Sequence, residues 1–380
     1  MSGLTGRLSE TTGLGYAAVA QRSLPAGPAF DPWRTWDADP AGTTDALLGA
    51  AVLAANARNE QPWRFAAAPE RIDVYADSER RQGALDPFDR EVHVGLGCAV
   101  ENITLAAAAQ GRVARVRLMP DSAQPTLAAT LELAPAAASI SPLYLAIPHR
   151  RTNRGPFQRR PLPPDLIAEM SALANDLTMA SVCWFSAGEQ RAAIGETLVA
   201  AARAIVADEE QSLDTHRWFR HSESEIQRER DGFTIDTQGL GSALVAVAKR
   251  LPRQPRSVAD RFWLRQTSQV HVPTAAAFGM VTVPDAAQGS CRVEGGRLLQ
   301  RLHLFATARG LAIGHLNMMT VRADRERQTG ARPQFTEALA GFVGDRDREA
   351  LVTFRIGYPV RPAGVSPRRG VSSVMISKSV

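Results

Sequence analysis

Two helix-like stretches of equal length, each bracketed by glycines, constrain the fold more than any other feature of this sequence. One covers residues 97–111 and the other residues 296–310. Each is followed by a short β-like segment, an apolar and arginine alternation at 113–118 in the first case and residues 311–316 in the second. Equal elements in the same order indicate a structural unit that occurs twice in the chain.

A second pairing has the same order. An Arg-Thr pair at residues 34–35 precedes an apolar helix that ends at Asn56. Another Arg-Thr pair, at residues 151–152, precedes a predicted helix over residues 165–173 that ends at Asn175. Two diverged copies of one unit explain both pairings. We therefore predict an N-terminal extension at residues 1–30, one half at 31–148 and a second half at 149–380, with little structure in the extension.

A polar loop at residues 56–65 breaks sharply with the alanine-rich run before it. Asn56, Asn59 and Gln61 arrive within six positions, followed by Pro62 and Trp63. Amides at a helix exit both donate and accept hydrogen bonds, which suits a planar ligand whose edge alternates carbonyls and N–H groups. A capped turn before a strand is the other interpretation of so short a segment.

This loop resembles the one that contacts the flavin FMN in the nitroreductase superfamily and reads Ala-Pro-Ser-x-x-Asn-x-Gln-Pro-Trp-x-Phe. Asn59, Gln61 and Trp63 keep the pattern, whereas Ala55 and Asn56 stand where that family has proline and serine. The resemblance implies that Asn56, Asn59 and Gln61 bind the flavin.

A basic cluster at residues 149–154 lies in the second half. Arginine grips two oxygens of a buried phosphate monoester at once, although a solvated basic loop gives the same pattern. The cluster resembles the family's Arg-Arg-Ser-x-Arg element, and the pair at 368–369 resembles its second basic element. That resemblance implies FMN binding by the following residues: Arg150, Arg151, Thr152, Arg154, Arg368 and Arg369. Arg154 would lie near the N1–C2 carbonyl edge of the flavin.

The first half keeps the Asn-x-Gln-Pro-Trp loop but has Trp33 and Trp36 around Arg34 instead of a basic cluster. The second half has the cluster and lacks the loop. In the family two subunits share each FMN, so a fused and diverged pair would keep one complete site. Together with motifs in the same order over most of the chain, this resembles the Acg-type branch, in which two nitroreductase-like halves form one chain.

Residues 314–318 follow the second repeat's helix, and the resemblance implies that they lie beside the reactive flavin edge. A backbone N–H of Asn317 or Met318 would then bond flavin N5. Core packing is the competing interpretation for Met318 and Met319. We interpret His315 as structural and not as a proton donor.

A polar segment at residues 208–270 interrupts the regular pattern, and we predict that it forms a lid over the flavin. A surface excursion packed on the second half is the alternative. The segment includes Trp218, Arg220 and an apolar helix at residues 243–251.

Composition restricts the remaining classes of protein. Three distant cysteines, Cys98, Cys183 and Cys291, have no metal-ligand spacing, which favours buried thiols, no metal site and a reducing, cytoplasmic location. The net charge of +5 permits nucleic acid binding. Since the basic clusters contain no interleaved aromatic residues, we expect neither a nucleic acid nor a membrane partner. Dinucleotide, phosphate-loop, zinc-protease and nucleophile-elbow motifs are absent from the sequence.

The sequence therefore predicts an α+β, nitroreductase-like fold of two pseudo-symmetric halves, each a mixed or antiparallel sheet flanked by helices. The expected protein is a monomeric pseudo-dimer, with further oligomerisation left open. The resemblance implies an FMN-dependent oxidoreductase that takes hydride from NADH or NADPH and reduces a quinone, a nitroaromatic or another small molecule. An FMN storage or sequestration protein is the alternative. No side chain is assigned a catalytic acid or base role.

Overall fold

Two four-stranded antiparallel sheets form the framework of the chain, in a computed structural model that describes residues 24–40 and 42–376. The first sheet consists of β1 (Trp63–Ala68), β2 (Arg71–Ala76), β3 (Arg112–Leu118) and β4 (Leu127–Pro135). The second consists of β5 (Ser181–Phe185), β6 (Ala277–Val283), β7 (Ala312–His315) and β8 (Glu349–Gly357).

The two sheets have the same topology. Their strand orders are β1-β2-β4-β3 and β5-β6-β8-β7, so each half joins its first two strands as neighbours and then crosses over. The second strand of each sheet also shows a register shift against its neighbour, between Val74 and Tyr75 in β2 and between Val281 and Thr282 in β6. The two sheets therefore share a register shift as well as a strand order, although the strand order alone does not require the shift.

The described helices fall between and around these strands. In chain order they are α1 (Pro32–Thr35), α2 (Thr44–Ala51), α3 (Arg90–Ala109), α4 (Pro142–Ala146), α5 (Pro164–Ala172), α6 (Gly188–Ala207), α7 (Glu209–Arg217), α8 (Glu223–Glu229), α9 (Ser242–Ala248), α10 (Arg256–Gln266), α11 (Val272–Thr274), α12 (Gly289–Ala308), α13 (Met318–Thr329), α14 (Gln334–Val343) and α15 (Val371–Val374). A π-helical turn, Thr267–His271, joins α10 to α11.

Helices α3 and α12 cross at the centre of the molecule. Each is 20 residues long and lies between the second and third strands of its own half. At the crossing a Cβ atom added to Gly97 would lie 2.0 Å from the Val293 carbonyl oxygen, and one added to Gly296 would lie 2.2 Å from the Val94 oxygen. Only glycine permits so close a backbone approach, so these two positions set the distance between the halves.

One apolar core runs through both halves because the crossing helices are buried on several sides. Leu47, Val74, Val281 and Phe354 belong to the same cluster of buried residues. By length and composition α3 would suffice to cross a membrane, but 72% of its most apolar 18-residue window is buried inside the protein. The apolar character of α3 is therefore that of a helix in the protein core.

The end of the chain packs on the first half. Phe65 in β1 forms an isolated parallel bridge with Met375, and the Ile376 N–H donates to the Phe65 carbonyl at 2.7 Å. Upstream, the Arg368 N–H donates to the Ala29 carbonyl at 2.7 Å. These bonds hold Arg368 and Arg369 next to the segment around α1, although the two segments lie more than 300 positions apart in the sequence.

The α+β fold with two halves is confirmed, as are the strands expected at 113–118 and 311–316 and the helix expected at 165–173. Cys98 and Cys291 are buried as predicted, whereas Cys183 on β5 is partly exposed. The predicted extension lies largely outside the described residues, since 1–23 are not described. The division at residue 148 stays a prediction.

Candidate functional site

Two adjoining cavities lie where the halves meet. The larger, which we call the main cavity, has a volume of about 480 Å³. The smaller, which we call the arginine pocket, has a volume of about 20 Å³. Both are lined by Ala55, Asn56, Thr152 and Arg154, so one elongated ligand would reach from one cavity into the other.

The loop that follows α2 has an unusual backbone. Arg58, Asn59 and Gln61 all adopt positive φ angles, of 49°, 56° and 55°. Such conformations cost free energy for residues with a side chain, and they persist where surrounding contacts hold them. Part of that support is local, because the Gln61 N–H donates to Asn56 Oδ1 at 2.9 Å.

The predicted amides of this loop have different surroundings. Asn56 lines both cavities, and Asn59 lines the arginine pocket with its Oδ1 lacking a partner in the described part of the chain. Gln61 is fully buried and lines neither cavity. Its Nε2 donates to the Arg230 carbonyl at 2.8 Å and its Oε1 accepts from the Arg369 N–H at 2.8 Å. The Gln61 amide therefore fastens the loop to two distant segments.

The arginine pocket contains four arginines and no acidic residue among its described lining. They are Arg150, Arg151, Arg154 and Arg368. The Nε atoms of Arg150, Arg151 and Arg368 are buried without a hydrogen-bond partner in residues 24–40 and 42–376. Buried polar groups of this kind are normally satisfied, so the pocket has the donors and the charge that an anion requires.

Burial acts on every guanidinium of this group. It lowers the pKa of Arg150 to about 10, and burial together with the Arg150 charge lowers the pKa of Arg151 to about 9. Burial lowers the pKa of Arg154 to about 10, and burial with the charges of Arg150 and Arg151 holds the pKa of Arg368 well below its ordinary value. A bound anion would relieve this repulsion.

Backbone carbonyls orient the same arginines. Arg150 donates to the Leu53 carbonyl at 3.2 Å, and Arg368 donates to the Ala54 carbonyl at 3.1 Å. The buried ring of His303 lies with Nδ1 3.5 Å from Arg150 Nη1 and Nε2 3.1 Å from the Arg151 carbonyl oxygen. Burial and the Arg150 charge hold the His303 pKa well below its ordinary value, so the neutral ring donates through Nε2 and accepts at Nδ1.

Arg369 lies outside both cavities, unlike its neighbour Arg368. Its guanidinium donates to the Ser373 carbonyl at 3.0 Å and approaches the Asp77 carboxylate at 3.5 Å. The structure thus separates the basic pair: one arginine faces the pocket and the other anchors the C-terminal segment.

Arg154 lies at the junction of the two cavities. It donates to the Thr237 carbonyl at 3.2 Å, and its guanidinium stacks 4.7 Å from the Phe233 ring centroid. Thr152 lines both cavities beside it. The basic cluster therefore turns a charge toward the main cavity as well as toward the arginine pocket.

The inner wall of the main cavity includes Gly314, Asn317 and Met318. The Asn317 side chain is already bonded, since Nδ2 donates to both Glu91 oxygens, at 3.0 and 2.8 Å, and Oδ1 accepts from the Thr353 N–H at 3.2 Å. Helix α13 begins at Met318, and the first N–H groups of a helix have no partner within it. The Asn317 side-chain amide is therefore not available to a ligand, whereas the Met318 N–H, at the first position of α13, has no partner within that helix.

His315 and the methionines beside it differ in surroundings. His315 lines the main cavity, and burial together with Arg150 and Arg154 lowers its pKa to about 3, so the ring is neutral. Met318 lines the cavity, whereas Met319 is fully buried in the core around α6. Met319 is therefore a core residue and does not line the cavity.

The predicted lid contributes the outer wall of the main cavity. Its lining side chains are mostly apolar or aromatic, and several lie on or beside α7 and α10: Thr215, His216, Phe219, His221, Phe233, Ile235, Gln238, Leu240, Ala248, Lys249, Leu251, Pro252, Gln254, Val258, Ala259, Asp260, Phe262 and Trp263. Residues 215–263 thus face the same space as Asn56 and Asn317.

Sequence reasoning missed other residues at the site. Trp33 and Ser366 line the arginine pocket, and Arg58 and Glu91 line the main cavity. In the sequence, Trp33 drew attention only because tryptophans flank Arg34 where the second half has a basic cluster. The sequence alone assigned no role at the site to Glu91, which is buried in α3.

Glu60, Asp86 and Glu91 are buried acids, and Glu91 lines the main cavity. Their ionisation makes the stability of the folded protein depend on pH. Burial and the neighbouring Glu91 raise the pKa of Asp86 from 3.8 to about 7, while burial holds the pKa of Glu60 well above its ordinary value. Because the folded state binds the Asp86 proton more tightly than the unfolded state, the folded protein loses stability as pH rises from about 4 to about 7.

We therefore expect Asp86→Asn to stabilise the protein relative to wild type increasingly as pH rises. The pKa difference at Asp86 limits the gain to at most about 4 kcal/mol above pH 7. Urea unfolding of both proteins at pH 5 and pH 8 measures it. A gap between the two unfolding free energies that is the same at both pH values would contradict the expectation.

Comparison with known proteins finds curated relatives that match part of this chain. No family model matches the chain. It is 33% identical over 137 residues to a protein of Mycobacterium tuberculosis H37Rv named "Putative NAD(P)H nitroreductase", a match that covers 35% of this chain and 40% of that protein. It is also 33% identical over 146 residues to the acg protein of the same organism, which carries the same description, over 37% of this chain and 43% of that protein. The matches span less than half the length of these relatives.

Among solved structures, the FMN-dependent nitroreductase NfnB from Mycobacterium smegmatis, in complex with NADPH, is 19% identical. The alignment covers 62% of this chain and 98% of that chain with a TM-score of 0.41. The curated relatives support the resemblance to the Acg-type branch of the nitroreductase superfamily.

Proposed function

We propose that this chain, a relative of the Acg-type nitroreductases, binds one FMN between its halves and acts as an FMN-dependent oxidoreductase. The observation that carries the proposal is the arginine pocket, in which four arginines meet, with no acidic residue in the part of its lining that the structure describes, beside a larger and less polar cavity. FMN has the same division of charge, because its phosphate monoester is anionic and its aromatic ring system is uncharged in the oxidised state.

The residues present fit this cofactor. Arg150, Arg151 and Arg368 would hold the phosphate, since each has a buried Nε donor without a partner among the residues described. Thr152 lies where the two cavities join and would meet the ribityl chain or the phosphate. Bound FMN would supply the redox chemistry, accepting hydride from NADH or NADPH and passing electrons to a quinone, a nitroaromatic or another small molecule.

Other side chains would orient the ring in the main cavity. Asn56 would meet the ring edge and Asn59 the end nearer the phosphate, where its Oδ1 has no partner in the described residues. Arg154 would place positive charge beside the ring, and the backbone N–H groups of Asn317 and Met318 would donate to it at the start of α13. Gln61 and Arg369, which we predicted as cofactor contacts, would instead act by holding the loop and the C-terminal segment in place.

The matching sheet topologies support an internal duplication, and we propose that the fused pair works as a monomeric pseudo-dimer with a single site. The first half supplies Asn56 and Asn59, and the second supplies Arg150, Arg154 and the chain end. A second site related by the same pseudo-symmetry would need its own basic cluster, which the sequence around Arg34 lacks.

A second candidate function is FMN storage with little turnover. The observation that favours it is the wall formed by residues 215–263, which line the main cavity together with Asn56. Such a wall would keep the nicotinamide donor from the ring as well as excluding water.

The freshly purified protein is expected to be yellow, with the absorption bands of oxidised flavin, and to release FMN on denaturation. Anaerobic addition of excess NADH or NADPH is expected to bleach these bands within seconds if the protein is a reductase. A yellow protein that neither donor bleaches would favour storage. A colourless protein that takes up neither FMN nor riboflavin would remove both functions.

A further inference from the structure

Trp33 occupies an unexpected place at the wall of the arginine pocket. It belongs to the short helix α1 in the first half, and only 1% of its surface is exposed. Its indole Nε1 donates to the Ser366 carbonyl at 2.8 Å. That bond fixes the orientation of the ring, and it ties α1 to the segment that carries Arg368.

Two arginines of the pocket lie against this one ring. The Arg151 guanidinium carbon is 3.7 Å from the Trp33 ring centroid, and that of Arg368 is 5.2 Å from it. Both distances fall within the range in which a cation is attracted to the face of an indole. The two guanidiniums come from segments more than 200 positions apart, and Trp33 is their shared neighbour.

An aromatic neighbour has a consequence that an acidic neighbour would not have. Arg150, Arg151 and Arg368 repel one another, and this repulsion adds to the effect of burial, which is the larger cause of the lowered pKa values of Arg151 and Arg368. A carboxylate would offset that repulsion, but it would also occupy the N–H groups and cancel the charge that attracts a phosphate. The indole attracts the cations and leaves their donors available.

We propose that Trp33 is a positioning residue that holds Arg151 and Arg368 side by side, so that the arginine pocket is formed before its anion arrives. The inference rests on the proposed function in one respect, namely that the anion is the phosphate of FMN. Preorganisation of this kind raises affinity by removing the cost of ordering the side chains on binding.

The test compares two ligands that differ only in the phosphate. Flavin-free protein is titrated with FMN and with riboflavin, for wild type, Trp33→Leu and Trp33→Phe. Trp33→Leu is expected to weaken FMN binding about tenfold, which corresponds to about 1.4 kcal/mol, with riboflavin affinity unchanged within about twofold. Trp33→Phe keeps an aromatic face but loses the bond to Ser366, so it is expected to weaken FMN binding less than Trp33→Leu does. Equal weakening of both ligands, or unchanged FMN binding in Trp33→Leu, would overturn the proposal.

A second variant preserves the shape of the residue. Tetrafluorotryptophan incorporated at position 33 alone keeps the indole and removes most of the negative potential of its face. Its FMN affinity is expected to fall while its riboflavin affinity stays the same, and unchanged FMN affinity would count against the role of Trp33. If wild type binds neither flavin, the proposed function fails and inorganic phosphate becomes the probe. Phosphate should then raise the melting temperature of wild type more than that of the fluorinated protein, and equal shifts would overturn the inference.

Discussion

Replacing Arg150 by alanine is expected to weaken FMN binding by about two orders of magnitude, whereas Arg34→Ala leaves it within about twofold. Arg150 is 3% exposed and lines the arginine pocket, and its Nε has no partner within residues 24–40 and 42–376. A hydrogen bond between a buried guanidinium and a phosphate contributes about 1.5–3 kcal/mol. Arg34 belongs to the corresponding Arg-Thr pair of the first half, but it is exposed and paired with Asp31 at 3.0 Å.

The measurement is titration of flavin-free protein with FMN and with riboflavin. Riboflavin affinity is expected to be the same in wild type and both variants, because Arg150 addresses only the phosphate. The proposal of a single site would be abandoned if Arg34→Ala lost as much FMN as Arg150→Ala. A loss of riboflavin binding in Arg150→Ala would mean that the fold of the cavity, and not the phosphate contact, had been damaged.

The second large effect concerns the helix crossing. Gly296→Ala is expected to lower the free energy of unfolding by about 3 kcal/mol or more. Its new Cβ would lie 2.2 Å from the Val94 carbonyl oxygen and 3.0 Å from the Gly97 Cα. Backbone atoms of α3 cannot swing aside as a flexible side chain would, so α3 and α12 must separate.

Gly341→Ala is the matched control. Gly341 also lies within a helix, α14, but a Cβ added there meets no atom within 4 Å. Alanine should therefore stabilise α14 slightly, by up to about 1 kcal/mol, because it restricts the unfolded chain. Urea unfolding of the three proteins measures both effects. Similar unfolding midpoints for the two variants would show that the crossing does not determine stability.

Much of the fold was predictable because it depends on short-range patterns. The alternation at 113–118 and the glycine-bracketed stretches reflect strand and helix geometry over a few residues. The strand appears where expected, whereas α3 and α12 begin seven residues before Gly97 and Gly296, so these glycines lie inside the helices and not at their N-terminal ends. Their repetition in the same order predicted two similar halves, and the two sheets share one strand order. The chemistry of the pocket was also visible, since arginines in a compact cluster indicate an anion.

Which of the polar residues face the cavities was not predictable. Asn56 and Gln61 carry similar amides five positions apart, yet Asn56 lines both cavities and Gln61 is buried behind them. The positive φ angles at residues 58, 59 and 61 turn these side chains in directions that no periodic pattern describes. The adjacent Arg368 and Arg369 also differ in this respect, since Arg368 lines the arginine pocket and Arg369 lies outside both cavities.

The sequence by itself determined the elements of each half, their repetition and the types of residue available to bind an anion. Only the tertiary structure decided that Trp33, Arg151 and Arg368 would share one compartment. The reason is physical: local backbone preferences act over a few positions, whereas this compartment depends on the packing of α3 on α12 and on the return of the C-terminal segment to the first half.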